Sequence, residues 1–453
     1  MAGLFGSLQM AARSLAAQQT GLDLTGQNIA NLNTPGYARR RLELAEVVYG
    51  ARGVEVLGTP AMRDAVLDAR VRLAVPDEAR EGAIAGTLAV VETAIGAPGE
   101  GLDARFTAFF DAWAALSLDP TSAVARDAVV QQGRALSLAF HDVHAQLTES
   151  RAMADRGIRQ GAADVNALSA EIADLNRAIA AAGGIDVEAL KSRQQIAVEA
   201  LAALTAVAVL PRSDGGVDVT IPSGRALVIG DAAYAVAVGN GPDGMATLSL
   251  GGYDITAEID NGRLGGLLQA RDTMVPGYLE QLDTMAFTVA QQVNTVHQSG
   301  FDAAGAAGGP FFAPLATATG AAAAIAVSAA VSADPGLVAA SATGAPGDNQ
   351  TARAMAALRD AGVLAGGTAT FAEAWGRLAY TVGTDASTAQ VQLEARAAVR
   401  GEVERLRDQV SGVSLDEEAA NLIKYQRAYE ANAKFFATID SVLETLMSLA
   451  GAR

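Results

Sequence analysis

The chain has 453 residues, 33 basic against 50 acidic, a net charge of -17, and is 50% hydrophobic but only 5% aromatic. That length predicts two or three domains, and an alanine-rich, aromatic-poor composition predicts long helices packed at close range rather than one aromatic core. The acidic balance with scattered basic residues argues against nucleic acid and anionic membranes as partners, and the lack of cysteine excludes disulfides, thiolate metal sites and a cysteine nucleophile.

In chain order, MAGLFGSLQMAARSLAAQQTGLDL lacks the basic and continuous apolar regions of a cleavable secretory signal, so any export uses another route. The same segment spaces Phe5, Leu8, Ala12, Leu15, Gln19, Leu22, Gly26 and Ile29 by threes and fours, a heptad stripe on a helix. Asn28, Asn31 and Asn33 lead into Thr34-Pro35-Gly36, where Pro35 disfavours helical geometry at Thr34 and Pro-Gly suits a type II turn. Tyr37 then opens an extended stretch with short alternation at Val54, Val56 and Leu57. Helices are predicted at residues 64–94, in GLDARFTAFFDAWAAL up to Asp119-Pro120, at 124–182, and, after GGID, at 187–206.

Residues 207–263 change character, with alternation at Val217, Val219 and Ile221 and turn dipeptides throughout, which reads as a small antiparallel β domain inserted between helices. Helix returns at 264–298. Residues 301–367 are irregular, with a strand predicted at 325–331 and a short helix at 351–360; their uncharged run lacks the Leu/Ile/Phe density of a membrane span. From residue 372 onward the chain is helical with one interruption. Val399, Val403, Leu406 and Val410 form a short heptad series, and Ser414 with Glu417 stands in capping-box spacing. A second stripe follows: Leu422, Tyr425, Tyr429, Asn432, Phe436, Ile439, Leu443 and Leu446.

Each terminal helix is one-sided, and a lone helix of this size is only marginally stable. Pairing residues 1–33 with 414–453 as a coiled-coil rod of roughly 40 to 50 Å solves both problems. Leu415, Ile423 and Phe435 fall off that seam, which implies a partner subunit. The bland alternative is that both are ordinary core helices of one large bundle, with Asn432 a satisfied core asparagine instead of a register device. The fold class is therefore mainly α with an inserted small β domain: a terminal coiled-coil assembly domain (1–33 and 414–453), a helical rod-like domain (34–206 and 264–413) and the β domain (207–263). Both stripes, with Asn28, Asn31, Asn33, Pro35 and Tyr37 at the joint, make the expected assembly interface.

GLDLTGQNIANLNTPGYARRRLEL resembles the N-terminal signature of the flagellar axial proteins of rod, hook and hook-filament junction, and VSLDEEAANLIKYQRAYEANAKFFATIDSVLETLMSL is similar to their C-terminal partner motif. GRLGGLLQARDTMVPGYLEQLDTMAFTVAQQVNTVHQSGFDAAGAAGGPFF and AVSADPGLVAASATGAPGDNQTARAMAAL resemble the junction members specifically. The resemblance implies a non-enzymatic, cofactor-free structural subunit, exported by the flagellar type III apparatus and assembled as a ring at the hook tip. It implies terminal helices in an inner tube and the β domain outermost. The implied partners are further copies of itself, the hook protein, the second junction protein (hook-associated protein 3) and an export chaperone on the C-terminal helix. Another axial subunit, of hook or distal rod, is the first alternative.

Chemistry is signalled weakly. GNGPDG at 239–244 matches GxGxxG, but Pro242 lies inside it and no helix follows, so a hairpin turn is expected. His141 and His144 flank Asp142 on a helix without a third ligand, the sole support for the remaining alternative, a metal-dependent helical hydrolase. His297 stands alone and reads as capping or packing. Asp416, Glu417 and Glu418 complement a helix macrodipole.

Overall fold

The computed structural model describes residues 2–34, 36–47, 53–96, 99, 101–182 and 186–451. Helix α1 (Ala2–Ala30) is followed by a hairpin of β1 (Glu43–Val47) and β2 (Gly53–Gly58), which lies back along α1. Asp64 caps α2 (Ala65–Ile95) by accepting the Val66 and Leu67 amides, and Gly96, at φ 76°, ends it. Helix α3 (Leu102–Leu118) leads through a turn to Ser122, whose hydroxyl caps α4 (Ala123–Ala181). At 59 residues α4 is about 88 Å long and forms the spine of the molecule.

After α5 (Asp186–Leu204) come seven short strands in two antiparallel sheets: β3 (Ala208–Pro211), β4 (Val217–Thr220), β5 (Ala226–Ile229) and β6 (Ala232–Ala233), then β7 (Val236–Asn240), β8 (Ala246–Leu250) and β9 (Tyr253–Asp254). Three polar side chains of α4 hold these strands. Asn166 and Asn176 exchange hydrogen bonds with the backbones of Val236 and Val217, and Asp155 accepts from Ala246 N–H at 2.6 Å. The strand amides that an isolated small sheet would leave to water are thereby paired to the spine.

Helix α6 (Gly262–Gln269) passes through a π turn (Ala270–Met274) into α7 (Val275–Gln298), one continuous rod as the pattern predicts. The glycines of its GRLGG opening permit close crossing: a methyl at Gly266 would meet Arg80 carbonyl oxygen at 2.3 Å. On α4, methyls at Gly157 and Gly161 would meet Leu267 and Leu264 at 2.9 and 2.6 Å. Arg271, in the π turn and 3% exposed, donates to Asp155 and to Ala246 carbonyl, tying spine, sheet and helix together. Burial pushes the Asp155 carboxyl up, but the hydrogen bonds from Ala246, Arg159 and Arg271 outweigh it and hold it below the usual carboxylate range.

Residues 301–367 carry α8 (Ala321–Ala324), α9 (Ala329–Ala333) and α10 (Gln350–Ala357). The strand expected at 325–331 is not formed: Val327 makes one bridge to Phe312, after which the Ser328 hydroxyl accepts the Val331 amide and starts α9. His297 secures this segment. It is fully buried, Nδ1 donates to Gly309 carbonyl at 2.7 Å and Nε2 accepts from Ala339 N–H at 2.9 Å. Burial pushes its pKa down to about 4, so the ring is neutral.

Helix α11 (Phe371–Ser411) opens with a complete Thr370/Glu373 capping box and packs antiparallel on α2, and α12 (Leu415–Gly451) returns to pair with α1. The predicted series on α11 does not line a buried seam: Val399, Leu406 and Val410 are exposed and Val403 is half-buried. Two cores lie along α4. One holds α3, α7 and the aromatic rings Phe106, Phe109, Phe110, Trp113, Phe140, Phe311, Phe312 and Phe371; the other joins α5, α6 and the sheets. The scarce aromatics are thus concentrated in one cluster, where composition alone predicts none.

Candidate assembly interface

Helices α1 and α12 pack along their length, but the buried face of α1 is not the bulky stripe. Ala11, Ala17, Gly21, Leu24 and Asn28 are buried, whereas Phe5 is 56% exposed, Leu8, Leu15, Leu22 and Ile29 are half-buried, and Ala12, Gln19 and Gly26 are exposed. The seam is displaced by one residue, about 100° around the helix. The cause is close approach: a methyl on Gly21 would sit 2.8 Å from the Tyr425 ring, so only a small-residue face admits that side chain.

On α12 the expected stripe divides. Ile439 is buried and Tyr425, Asn432, Phe436 and Leu443 are half-buried, while Leu422, Tyr429 and Leu446 are exposed beside Leu415, Ile423, Phe435, Val442 and Met447. Large apolar side chains of α12 therefore remain exposed on both flanks of its seam with α1.

The joint is polar and saturated. Asn28, 1% exposed, donates to Arg40 carbonyl at 2.9 Å and to Glu418 Oε2 at 3.2 Å, and accepts from Arg40 N–H at 3.1 Å and the Tyr37 hydroxyl at 2.8 Å. All four capacities of its amide are used. Glu418, 2% exposed, also receives Arg39 Nε at 2.8 Å, and Arg39 pairs with Glu417 as well. Arg39 N–H donates to Ser411 carbonyl at 2.8 Å, so the two chain crossings are bonded to each other. Burial raises the Tyr37 pKa above its ordinary value. Asn31 caps its own helix end, donating to Gln27 carbonyl and accepting from Thr34, and Asn33 is exposed. Pro35 lies outside the described residues.

The capping box expected at Ser414 and Glu417 is half made. The Ser414 hydroxyl accepts the Glu417 amide at 3.5 Å, but the Glu417 carboxylate turns to Arg39. The acidic cluster is thus more than a dipole complement. Arg39, Arg40, Glu418 and Gly21 are joint and seam residues that periodicity missed; the arginines at 39–41 and the acids at 416–418 were the available signal. Beneath the joint a cleft of about 980 Å³ opens between residues 32–39, α5 and the end of α11.

Elsewhere, GNGPDG forms the β7–β8 hairpin turn, with Gly244 at φ 80°, and His141 Nε2 lies 2.8 Å from Ile325 carbonyl.

Three family matches cover both termini and the body: "Flagellar hook-associated protein FlgK helical domain" at residues 88–312, "Flagellar basal body rod FlgEFG protein C-terminal" at 408–449 and "Flagella basal body rod protein" at 8–37. Flagellar hook-associated protein 1 of Bacillus subtilis is 26% identical, over 99% of both chains. That of Escherichia coli is 24% identical, over 96% of this chain and 98% of its own. In fold, the chain is similar to the flagellar hook junction protein FlgK from Burkholderia pseudomallei, with a TM-score of 0.69 at 16% identity over 75% of this chain and 100% of that one. With rod-family helices at both ends and the hook-associated helical domain between them, the chain belongs to the flagellar hook-associated protein 1 family, structural subunits of the hook-filament junction.

Proposed function

We propose that this subunit assembles with copies of itself as a ring at the hook tip and joins hook to filament through its terminal helices. The observation that carries the reading is the set of large apolar side chains of α12, Leu422, Ile423, Phe435, Val442 and Met447, left in water around a helix already paired with α1. Burying it against neighbouring subunits supplies the free energy of assembly, at about 25 cal/mol per Å² of apolar surface removed from water. In this reading the hook protein lies on one side of the ring and hook-associated protein 3 on the other. The same reading makes the β domain, carried on α4, the outermost part of the subunit.

The role is structural, without catalysis or cofactor. The subunit reaches the cell exterior through the flagellar type III apparatus without a cleaved signal, and an export chaperone shields the α12 face before secretion. The test is a deletion strain. Intact hooks without filaments, with filament subunits released into the medium, are the expected phenotype; normal filaments would refute the reading. Loss of chaperone binding on removing residues 414–453 checks the export proposal separately.

A further inference from the structure

Helix α1 packs on α12 and on β2, and neither terminal helix packs along a helix of the body. The chain passes between the two parts twice, at residues 59–64 and 411–414. Both crossings are held by the Arg39 backbone, whose N–H donates to Ser411 carbonyl at 2.8 Å and whose carbonyl accepts from Met62 N–H at 2.7 Å. At a spacing of about 4.8 Å per step, they lie side by side, about 10 Å apart.

The charges on the two sides are satisfied separately. Arg39 pairs with Glu417 and Glu418 of α12, whereas Arg407 pairs with Glu199 of α5 and with its neighbour Asp408. Arg63, on the first crossing, donates through Nη2 to the Ser192 hydroxyl at 2.8 Å and leaves Nε buried without a hydrogen-bond partner. The cleft of about 980 Å³ separates Asn33 and Thr34 on the rod side from Gln195 and Gln409 on the body side. Its walls meet at one edge, where a methyl on Gly36 would lie 2.6 Å from Ile196. Two parts that are each packed internally, and are divided by a polar cleft, form a boundary at which relative motion is the default.

We propose that the paired terminal helices rock on the body as one unit, about an axis through Ser411, Arg39 and Met62, opening and closing this cleft. Two short crossings tied side by side restrict the motion to rocking, where a single tether would leave it free. The hydrogen bonds that join Asn28 to Arg40 and Glu418 all lie on the rod side of the axis. The rod therefore changes its angle to the body without unpacking α1 from α12.

The test is pulsed electron–electron resonance on the purified full chain, whose lack of cysteine makes nitroxide labelling at introduced cysteines specific. Three pairs at exposed positions are compared: Ala12→Cys with Ala420→Cys inside the rod, Ala200→Cys with Gln392→Cys inside the body, and Ala12→Cys with Ala200→Cys across the cleft. The pair across the cleft is expected to give a distance distribution at least twice as broad as either internal pair. Asn33→Trp with Gln409→Trp, which fills the cleft from both walls, narrows that distribution at least by half and leaves the internal pairs unchanged. A distribution across the cleft as narrow as the internal ones overturns the inference, as does an equally broad one inside the rod, which would place the motion in the helices. No narrowing in the filled variant overturns it as well, since the motion would not run through this cleft. None of these outcomes bears on the junction role.

Discussion

Replacing Asn28 with alanine removes the one side chain that meets all three segments of the joint. Asn28→Ala deletes four hydrogen bonds at a site 1% exposed. Tyr37 is half-buried and can turn to water, and Glu418 keeps Arg39, so the cost falls mainly on the Arg40 amide and carbonyl. Loss of the Asn28 hydrogen bond at each of these two buried polar groups, at about 1 to 3 kcal/mol each and softened by relaxation, gives a loss of about 2 to 4 kcal/mol. Hydrogen exchange followed peptide by peptide on the full chain reads this directly. Amides of α1 and of the first turns of α12 exchange roughly 30- to 700-fold faster, while those of α4 and α7 stay unchanged. Asn28→Asp exceeds the alanine effect, since it presents a carboxylate to the Glu418 oxygen and to Arg40 carbonyl. A change below threefold in α1 for both variants would show that the joint is held by apolar packing and refute the reasoning.

Gly21→Ala forces a methyl to 2.8 Å from the Tyr425 ring, so swimming in soft agar is lost, and Tyr425→Ala in the same chain partly restores it. In α4, Gly161→Ala meets Leu264 at 2.6 Å; the strain exceeds the helix-propensity gain, for a net destabilisation of about 1 to 2 kcal/mol in urea unfolding that Leu264→Ala alleviates. His297 makes stability pH-dependent. Its folded pKa of about 4 lies below the unfolded value near 6.5, because burial disfavours the cation. Between these values the unfolded chain binds the extra proton, so the contribution is full above pH 6.5 and is lost as pH falls to 4, up to about 3 kcal/mol; His297→Gln flattens that part of a stability profile measured from pH 7.5 to 4.5. Asp155→Asn takes one of two carboxylates from buried Arg271, which keeps its pair with Asp272, for about 2 kcal/mol, and the loss shows as faster exchange in β8.

The helices were legible because their signals are local. Asp64 at the start of α2 acts within a few residues, and the dense turn dipeptides of 207–263 mark hairpins by the same short-range chemistry. The strand expected at 325–331 failed for a local reason as well: Ser328 offers a helix cap that competes with extension, and β-branched content alone did not weigh it.

The sequence by itself determined that this chain is long helices with one β insertion and that each end is a one-sided apolar helix, the first of which stops near residue 30; their pairing came from the tertiary structure. Only the tertiary structure decided which face of α1 meets α12, since periodicity counts apolar residues and is blind to the closeness that Gly21 allows Tyr425. It also decided that Asn28 and Glu418, 390 residues apart, share one buried hydrogen bond. That pairing depends on where two distant segments come to rest, and no pattern along the chain encodes it.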